Sequence, residues 1–336
     1  MRVFEIHQAF GLDNLRLTER SEPTLGPGQV LVRMNAVSLN YRDLLMVRGM
    51  YNPRQPLPLI PCSDGVGTVV GLGKGVRRVK EGDRVAALFA QGWISGEPSH
   101  EKLRTSLGGP LDGTLTELMV LDAEGVVPVP EHLTDEEAAT LPCAALTAWS
   151  ALVTQGEVRA GDTVLIQGTG GVSIFALQFA LQMGARTIVT SSSDQKLQRA
   201  RELGAHEVLN YRTEPEWGKK ALELTEGRGV DHVVEVGGAG TLEQSLKAVR
   251  FGGALSVIGV LSGVSSPLNI LPILMKNVRL QGILVGHREG FEAMNRAISV
   301  SRLRPIVDRS FPFEDTPQAF EFLASGGHFG KICLRL

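Results

Sequence analysis

The chain has 336 residues, of which 34 are Lys or Arg and 36 are Asp or Glu, so its formal net charge is −2. This balance gives no electrostatic basis for binding nucleic acid or an anionic membrane, and we expect neither as a partner. The chain is 43% hydrophobic, with no apolar run long enough to span a bilayer and no apolar leader. These features predict a globular, cytoplasmic protein of about two domains.

The first part of the chain carries short β-rich runs separated by glycine turns. These runs predict strands at residues 29–36, 66–72, 84–89 and 115–121. Short strands of this kind are typical of a compact barrel rather than of a sandwich with long strands. Residues 91–112 show no periodicity and are predicted to form a long surface loop. Residues 131–149 have helical character, with acidic residues in the first turn.

From residue 163 onward, strands and helices alternate. The predicted strands are 163–167, 187–190, 207–210, 231–236, 254–260 and 278–284. The predicted helices are 172–183, 194–203, 215–225, 241–249 and 268–275. Six strands with helical crossovers predict a doubly wound α/β domain with a parallel sheet. Residues 290–336 carry one amphipathic helix and two strands, and we expect them to complete the first domain.

A glycine-rich turn, Gly-Thr-Gly-Gly-Val-Ser at 168–173, lies between the first strand and the first helix of this α/β region. Its backbone N–H groups and the positive end of the helix dipole suit a pyrophosphate. The six residues alone fit a tight structural turn equally well. The six alternating strands favour a dinucleotide site, and the predicted contacts are Gly168, Thr169, Gly170, Gly171 and Val172.

The end of the second α/β strand indicates which dinucleotide is bound. NAD sites usually place an acidic residue there to bind the ribose hydroxyls. Ser191 and Ser192 stand there instead, and Asp194 follows where the next helix begins. The three small hydroxyls of Ser191, Ser192 and Ser193 leave room for a 2′-phosphate, and Lys196 is placed to neutralise it, although a solvated helix charge explains Lys196 as well. The sequence therefore predicts NADP(H) in preference to NAD(H).

Together these motifs resemble the medium-chain dehydrogenase/reductase superfamily, and in particular its zinc-free branch of quinone oxidoreductase-like and alcohol dehydrogenase-like proteins. The resemblance covers nearly the full length and rests on GPGQVLV at 26–32, NYRD at 40–43, DGVG at 64–67, GDRV at 82–85, LPCAALTAW at 141–149 and the turn at 168–173. It implies a GroES-like β-barrel catalytic domain at 1–124 and 286–336 and a Rossmann NADP-binding domain at 125–285. It also implies a homodimer or homotetramer, for which the apolar sixth strand offers a sheet edge.

Zinc enzymes of this family hold their catalytic metal with a Cys, a His and a second Cys. By resemblance, Asn40 occupies the first ligand position and Ser63 the histidine position, and only Cys143 matches a ligand. Amide and hydroxyl groups are poor Zn²⁺ ligands, so we expect no zinc. With three cysteines, the chain also lacks the four-cysteine lobe of many relatives. A rearranged site of Cys62, Asp64 and Cys143 is the alternative.

The same resemblance assigns candidate site residues. The candidate catalytic residues are Asn40, Tyr41, Asp43, Tyr51 and Ser63, all in segments that line the family's active-site cleft. Asn40 would contact the nicotinamide ribose or the substrate oxygen, Tyr41 or Tyr51 would donate to that oxygen, and Asp43 would brace the segment or move a proton. Additional cofactor contacts are expected at Thr147, Tyr211, Gly237, Gly259, Leu284 and Gly286.

Without zinc, the site lacks the Lewis acid that stabilises a developing alkoxide. The chemistry least affected is hydride transfer to a quinone or an α,β-unsaturated carbonyl, because the π-system spreads the charge. We therefore expect an NADP(H)-dependent, zinc-independent oxidoreductase acting on a small carbonyl or quinone substrate. Two alternatives stay open: an alcohol or aldehyde dehydrogenase of the same fold, with or without an atypical metal, and a nucleotide-binding protein without turnover.

Overall fold

The computed structural model describes residues 1–336 and divides them into two compact units, Met1–Leu146 with Val285–Leu336 and Thr147–Leu284. The strands are β1 (Arg2–Ile6), β2 (Leu15–Glu19), β3 (Gln29–Leu39), β4 (Asp64–Leu72), β5 (Arg84–Ala87), β6 (Leu118–Asp122), β7 (Val126–Pro128), β8 (Thr163–Gln167), β9 (Arg186–Ser191), β10 (Glu207–Asn210), β11 (Val230–Glu235), β12 (Val249–Val257), β13 (Arg279–Gly282), β14 (Val307–Pro312) and β15 (Lys331–Arg335). The α-helices are α1 (Tyr41–Val47), α2 (His100–Leu103), α3 (Asp135–Ala139), α4 (Leu146–Trp149), α5 (Gly171–Gln182), α6 (Asp194–Glu202), α7 (Trp217–Leu224), α8 (Leu242–Ala248), α9 (Leu271–Met275), α10 (Arg288–Ser301) and α11 (Thr316–Ser325).

The first unit is built on a seven-stranded sheet in the order β14-β15-β3-β4-β5-β7, with β6 also paired to β3. Strand β3 is the centre of this sheet: it pairs antiparallel with β4, β6 and β15, and its side chains alternate between buried and partly exposed along its first half. Leu39 on β3, Leu44 on α1, Phe320 on α11 and Ile332 on β15 pack into one core. The C-terminal residues therefore complete the first unit.

The boundary between the units lies later than the predicted 124/125, because residues 125–146 group with the first unit. Strand β7 pairs with β5, and helix α3, capped by Thr134 and Glu137, follows it. The predicted helix over 131–149 is interrupted after α3 by a π-helical turn at Leu141–Ala145. Pro142 lies in this turn and has no N–H to donate, so regular α-helical bonding cannot continue through it.

The second unit is a six-stranded parallel sheet in the order β10-β9-β8-β11-β12-β13. Every residue of β8 and of β11 is buried, as expected for parallel strands covered by helices on both faces. All six predicted strands are present, and the bounds of β8 and β10 are the predicted ones. The predicted class, a β-rich domain plus a doubly wound α/β domain, is confirmed.

Some elements were not predicted from the sequence. The ribbon of β1 and β2 and the helices α1 and α11 are absent from the prediction. Helix α1 has seven residues, too few to show a helical period in the sequence. No helix combines the length and the apolar character needed to cross a bilayer.

Candidate active site and cofactor site

The predicted catalytic residues of the first unit lie around the junction between β3 and α1. Strand β3 ends at Leu39, Asn40 is the N-cap of α1, and Ser63 directly precedes β4. Because β15 runs antiparallel to β3, its first residue, Lys331, lies beside this junction. We call the resulting group the Asn40 cluster; it consists of Asn40, Arg42, Asp43, Ser63, Asp64 and Lys331.

Asp43 is fully buried and connects the start of α1 to its neighbours. Its Oδ2 accepts a hydrogen bond from the Asn40 backbone N–H at 2.8 Å, and its Oδ1 accepts one from Arg42 Nη1 at 3.2 Å. The Arg42 guanidinium also donates to three successive carbonyls, at Leu107 (2.9 Å), Gly108 (3.2 Å) and Gly109 (3.2 Å). This geometry is that of a brace, which ties the Asn40 segment to the end of the predicted 91–112 loop.

Aromatic rings cover the guanidinium of Arg42. Its Cζ lies 4.9 Å from the ring centroid of Tyr51 and 5.3 Å from that of Phe89. Tyr51 and Tyr41 are both nearly half exposed, and no hydrogen bond joins either hydroxyl to the Asn40 cluster. The structure therefore places Tyr51 next to the cluster through a cation–π contact, while Tyr41 only begins the adjoining helix.

Ser63 and Asp64 form a second, fully buried part of the cluster. Ser63 Oγ donates to Asp64 Oδ1 at 2.8 Å, and the Cys143 backbone N–H donates to Asp64 Oδ2 at 3.1 Å. Burial raises the pKa of Asp64 to about 6, against the opposing charge of Lys331. Cys62, which precedes Ser63, has φ of 71°, a region that residues other than glycine rarely adopt. The backbone is thus strained directly beside the candidate site.

Lys331 belongs to the site although the sequence did not predict it. Its side chain is 3% exposed, and its Nζ donates to the Leu39 carbonyl at 2.6 Å and to Asn40 Oδ1 at 2.5 Å. Lysine is seldom fully buried, so a lysine at the start of a terminal strand is expected on the surface. Its burial depends on the register between β15 and β3, which the sequence does not reveal.

The side chains at the family's zinc positions do not fit a zinc ion. The amide oxygen of Asn40 is already bonded to a lysine ammonium, and the hydroxyl of Ser63 donates to Asp64. Only Cys143 offers a usual ligand atom. A buried ammonium at this place also repels a divalent cation. No three His, Cys, Asp or Glu side chains of the chain are arranged to hold a metal, and this includes the alternative group with Cys62.

In the second unit, the predicted glycine turn connects β8 to α5. Gly168 has φ of 74° and donates its N–H to the Thr190 carbonyl at 2.8 Å. Gly170 is the N-cap of α5, and a Cβ placed on it would meet no heavy atom within 4 Å. Ser173 stands where the usual fingerprint has glycine, and its Oγ donates to the Gln167 carbonyl at 2.6 Å. The turn leaves open space at the N-terminus of a 12-residue helix, which fits a pyrophosphate.

The residues predicted to bind the adenosine end lie at neighbouring strand ends. Strand β9 ends at Ser191, which is in register with Asn210 at the end of β10, and the Tyr211 N–H donates to the Ser191 carbonyl at 3.1 Å. Asp194 accepts a hydrogen bond from Asn210 Nδ2 at 2.7 Å, so the nearest carboxylate is engaged within the fold. The structure brings the predicted residues to one edge of the sheet: Ser191, Ser192, Tyr211 and, in the first turn of α6, Lys196.

A buried carboxylate that the sequence analysis missed, Glu235, supports the strand end beside the turn. It accepts five hydrogen bonds, from Gly237 N, Gly238 N, Thr241 Oγ1, Gln167 Nε2 and Ser245 Oγ. A Cβ on Gly237 would lie 2.2 Å from Thr241 Oγ1, and one on Gly259 would lie 2.4 Å from the Val236 carbonyl oxygen. Packing alone therefore requires glycine at both predicted cofactor positions, and the Glu235 carboxylate fixes the backbone at Gly237.

The other predicted cofactor residues are divided between the units. Thr147 is buried in α4 and Leu284 is 40% exposed, and both belong to the second unit. Gly286 is buried in the first unit. Thr147 and Leu284 therefore belong to the unit that carries the glycine turn, and Gly286 belongs to the other unit.

Replacing Gly170 by alanine tests the glycine turn. The backbone conformation of Gly170 (φ −80°) allows alanine, and the new methyl group meets no neighbour, so we expect the thermal midpoint of unfolding to stay unchanged. The methyl group would occupy the space in which a pyrophosphate approaches the backbone, so we expect the Kd of NADPH to rise about tenfold or more. Titration of NADPH fluorescence measures the Kd.

Gly71→Ala is the matched control, because a Cβ there makes ordinary contacts of 3.4–3.9 Å in the first unit. We expect it to leave the Kd unchanged. Equal NADPH affinity in wild type and Gly170→Ala would show that the turn does not hold the pyrophosphate.

Comparisons with known proteins agree with this geometry. The profile of the alcohol dehydrogenase GroES-like domain matches residues 26–131, and that of the zinc-binding dehydrogenase family matches residues 171–299. A zinc-type alcohol dehydrogenase-like protein of Schizosaccharomyces pombe is 42% identical, over 97% of this chain and 96% of its own length.

Two further relatives carry more specific names. An acryloyl-coenzyme A reductase of Metallosphaera sedula is 28% identical over 94% of this chain and 95% of its own length. A mycobacterial protein whose structure was solved in complex with NADPH is 28% identical and superposes with a TM-score of 0.85, covering all of both chains. By its full-length similarity, the chain belongs to the medium-chain dehydrogenase/reductase superfamily and is an NAD(P)-dependent, alcohol dehydrogenase-like oxidoreductase.

Proposed function

We propose that the protein is an NADP(H)-dependent, zinc-independent reductase of a small α,β-unsaturated carbonyl or quinone. The observation that carries this proposal is the hydrogen bond from Lys331 to Asn40, the residue that by resemblance occupies a zinc-ligand position of the family. The site then offers a hydrogen-bond donor and a positive charge but no Lewis acid. A donor and a positive charge without a metal suit a conjugated acceptor better than a simple carbonyl.

Charge development in the substrate decides which reaction such a site can assist. Reduction of a simple carbonyl concentrates negative charge on one oxygen, and zinc relatives stabilise it with their metal. Reduction of a conjugated acceptor spreads the charge over several atoms, so hydrogen bonds suffice. A bound nicotinamide dinucleotide supplies the hydride. The first unit's own groups then position the substrate and donate to its oxygen.

The named relatives support the substrate class. An acryloyl-coenzyme A reductase acts, by its name, on a carbonyl compound with a conjugated double bond. The relative named zinc-type alcohol dehydrogenase-like points to alcohol oxidation instead. Assays with NADPH and a series of enones, quinones and aldehydes, together with metal analysis of the purified protein, separate the two. Stoichiometric zinc with turnover of alcohols would overturn the present proposal.

Support for NADP(H) comes from the residues at the end of β9 and the start of α6. No carboxylate stands at the end of β9, where Ser191 and Ser192 lie, and Asp194 belongs to the first turn of α6. A carboxylate at the end of β9 would repel a 2′-phosphate, so serine in its place favours NADP(H). The mycobacterial relative was solved with NADPH.

Lys196→Ala tests this assignment. If the ammonium group of Lys196 pairs with the 2′-phosphate, its loss should weaken NADPH binding about tenfold and leave NADH binding nearly unchanged, since NADH has no such phosphate. Lys219→Ala, an exposed lysine on α7, is the control and should change neither Kd. Equal losses for the two cofactors in Lys196→Ala would assign this lysine a different role.

We also propose that two copies associate through the edge of the second unit's sheet. Strand β13 is the terminal strand of that sheet and is exposed along its whole length. The neighbouring segment exposes large apolar side chains, at Val264, Ile270, Leu271, Leu274 and Met275. Open strand edges and apolar patches of this kind favour pairing. Light scattering measures the mass in solution, and a monomer mass at micromolar concentration would contradict the proposal.

A further inference from the structure

Lys331 needs an explanation beyond the replacement of a metal charge. Its ammonium group is almost completely buried, which is unfavourable unless the charge is paired and hydrogen-bonded. Asp64 and Asp43 lie near enough to act on it electrostatically. Both of its hydrogen bonds in the structure nevertheless go to uncharged oxygens, the Leu39 carbonyl and Asn40 Oδ1.

The bond to Oδ1 fixes the orientation of the Asn40 carboxamide. An ammonium group has three donors and no acceptor, so only the oxygen of the amide can face it. The Nδ2 of Asn40 must therefore point away from Lys331. This Nδ2 is buried and makes no hydrogen bond of ordinary geometry within the chain. Buried donors are rarely left unpaired, so Nδ2 is available to an acceptor from outside the chain.

Asp64 is the neighbouring carboxylate, and it leaves the Nδ2 of Asn40 able to donate to a ligand. Burial raises its pKa to about 6, and the charge of Lys331 and the amide of Asn40 act in the opposite direction. No hydrogen bond of ordinary geometry joins Nδ2 to it, and its two oxygens accept from Ser63 and from the Cys143 backbone. An amide nitrogen carries two N–H groups, so even a contact with Asp64 leaves one for a ligand.

We propose that Lys331 is a positioning residue that fixes the Asn40 carboxamide so that its Nδ2 donates to the carbonyl oxygen of the substrate. This inference rests on the proposed reduction of a conjugated carbonyl. The hydride forms a new C–H bond at the β-carbon, the electron pair of the double bond shifts toward the oxygen, and a proton from water completes the saturated product at the α-carbon. A donor held at that oxygen stabilises the charge as it develops. Asn40 is then the catalytic residue, and Lys331 acts through it.

Asn40→Asp separates the donor from the contact with Lys331. An aspartate keeps an acceptor for the ammonium group but carries no N–H, so the buried lysine stays paired. With NADPH and 2-cyclohexen-1-one as the probe substrate, we expect kcat to fall about 100-fold both in Asn40→Asp and in Asn40→Ala. The thermal midpoint of Asn40→Asp should be no lower than that of Asn40→Ala. Wild-type kcat in Asn40→Asp would overturn the proposal.

A double-mutant cycle shows whether Lys331 acts through Asn40. Lys331→Met frees the amide to rotate, so its kcat should also fall, and the double variant with Asn40→Ala should be no slower than Asn40→Ala alone. Additive losses would make Lys331 an independent contributor and overturn its positioning role. If Lys331→Met does not fold, Lys331→Arg, which keeps the charge and the donors, replaces it and should retain most of the activity; a loss as large as that of Asn40→Ala would then contradict the proposal.

The Kd of NADPH without substrate identifies the oxygen that Nδ2 serves. We expect the same Kd in wild type, Asn40→Asp and Lys331→Met. A weaker Kd in Asn40→Asp would assign the donor to the cofactor and overturn its assignment to the substrate. A wild-type protein that reduces no conjugated carbonyl contradicts the proposed function itself, whereas an active wild type with an equally active Asn40→Asp contradicts only this inference.

Discussion

Replacing Arg42 by methionine is expected to lower the free energy of unfolding by about 3–5 kcal/mol, the usual cost of removing one partner from a buried ion pair. The side chain of Arg42 is 10% exposed and that of Asp43 is fully buried, so solvent cannot compensate the carboxylate that remains. The substitution also leaves the carbonyls of residues 107–109 without their guanidinium donor. Urea unfolding followed by tryptophan fluorescence measures the loss.

Two other variants show the cause of that loss. Arg33→Met removes an exposed arginine from β3 and should change the free energy of unfolding by less than about 0.5 kcal/mol. Arg42→Lys keeps the charge but cannot reach the three carbonyls and Asp43 at once, so its stability should fall between wild type and Arg42→Met. A loss below about 1 kcal/mol in Arg42→Met would mean that the brace does not stabilise the unit.

The second unit could be predicted almost completely from the sequence, for a physical reason. Parallel strands covered on both faces are buried and rich in apolar residues, and β8 and β11 are buried at every position, although β11 also contains Asp231, His232 and Glu235. Strands and helices alternate along the chain from β8 to β13. These are local signals, so no knowledge of the rest of the chain is needed to find them. The domain boundary could not be predicted as well, because it depends on the pairing of β7 with β5, which is not a local property of the sequence.

The candidate site was predicted only where its residues are close in the sequence. Asn40 and Asp43 are three residues apart and bond directly, and Ser63 bonds to the residue that follows it. Lys331 is 291 residues from Asn40, and their contact requires the antiparallel register of β15 and β3. No pattern within 331–336 indicates that the lysine is buried. The orientation of the Asn40 amide thus depends on its contact with Lys331, which forms only in the folded chain.

The second large effect concerns pH and Asp64. Burial, opposed by the charge of Lys331, raises the pKa of Asp64 from 3.8 to about 6 in the folded protein. Between these values the folded state keeps a proton that the unfolded state has released. Asp64 therefore increases the free energy of unfolding at low pH. This stabilisation is lost as the pH rises from about 4 through about 6. The shift corresponds to about 3 kcal/mol.

Asp64→Asn isolates this contribution, because asparagine does not titrate while all other groups still do. We expect the stability of Asp64→Asn relative to wild type to rise by about 2 kcal/mol between about pH 4.5 and about pH 7.5, measured by urea unfolding. Asp13→Asn, at an exposed position, should follow wild type at every pH. Parallel curves for Asp64→Asn and wild type would contradict the raised pKa. In Lys331→Met, the pKa of Asp64 should rise further, since the ammonium group favours the charged carboxylate. The pH range over which the protein loses stability should therefore lie higher than in wild type. A shift to higher pH would show that the charge of Lys331, and not burial alone, sets the pKa of Asp64.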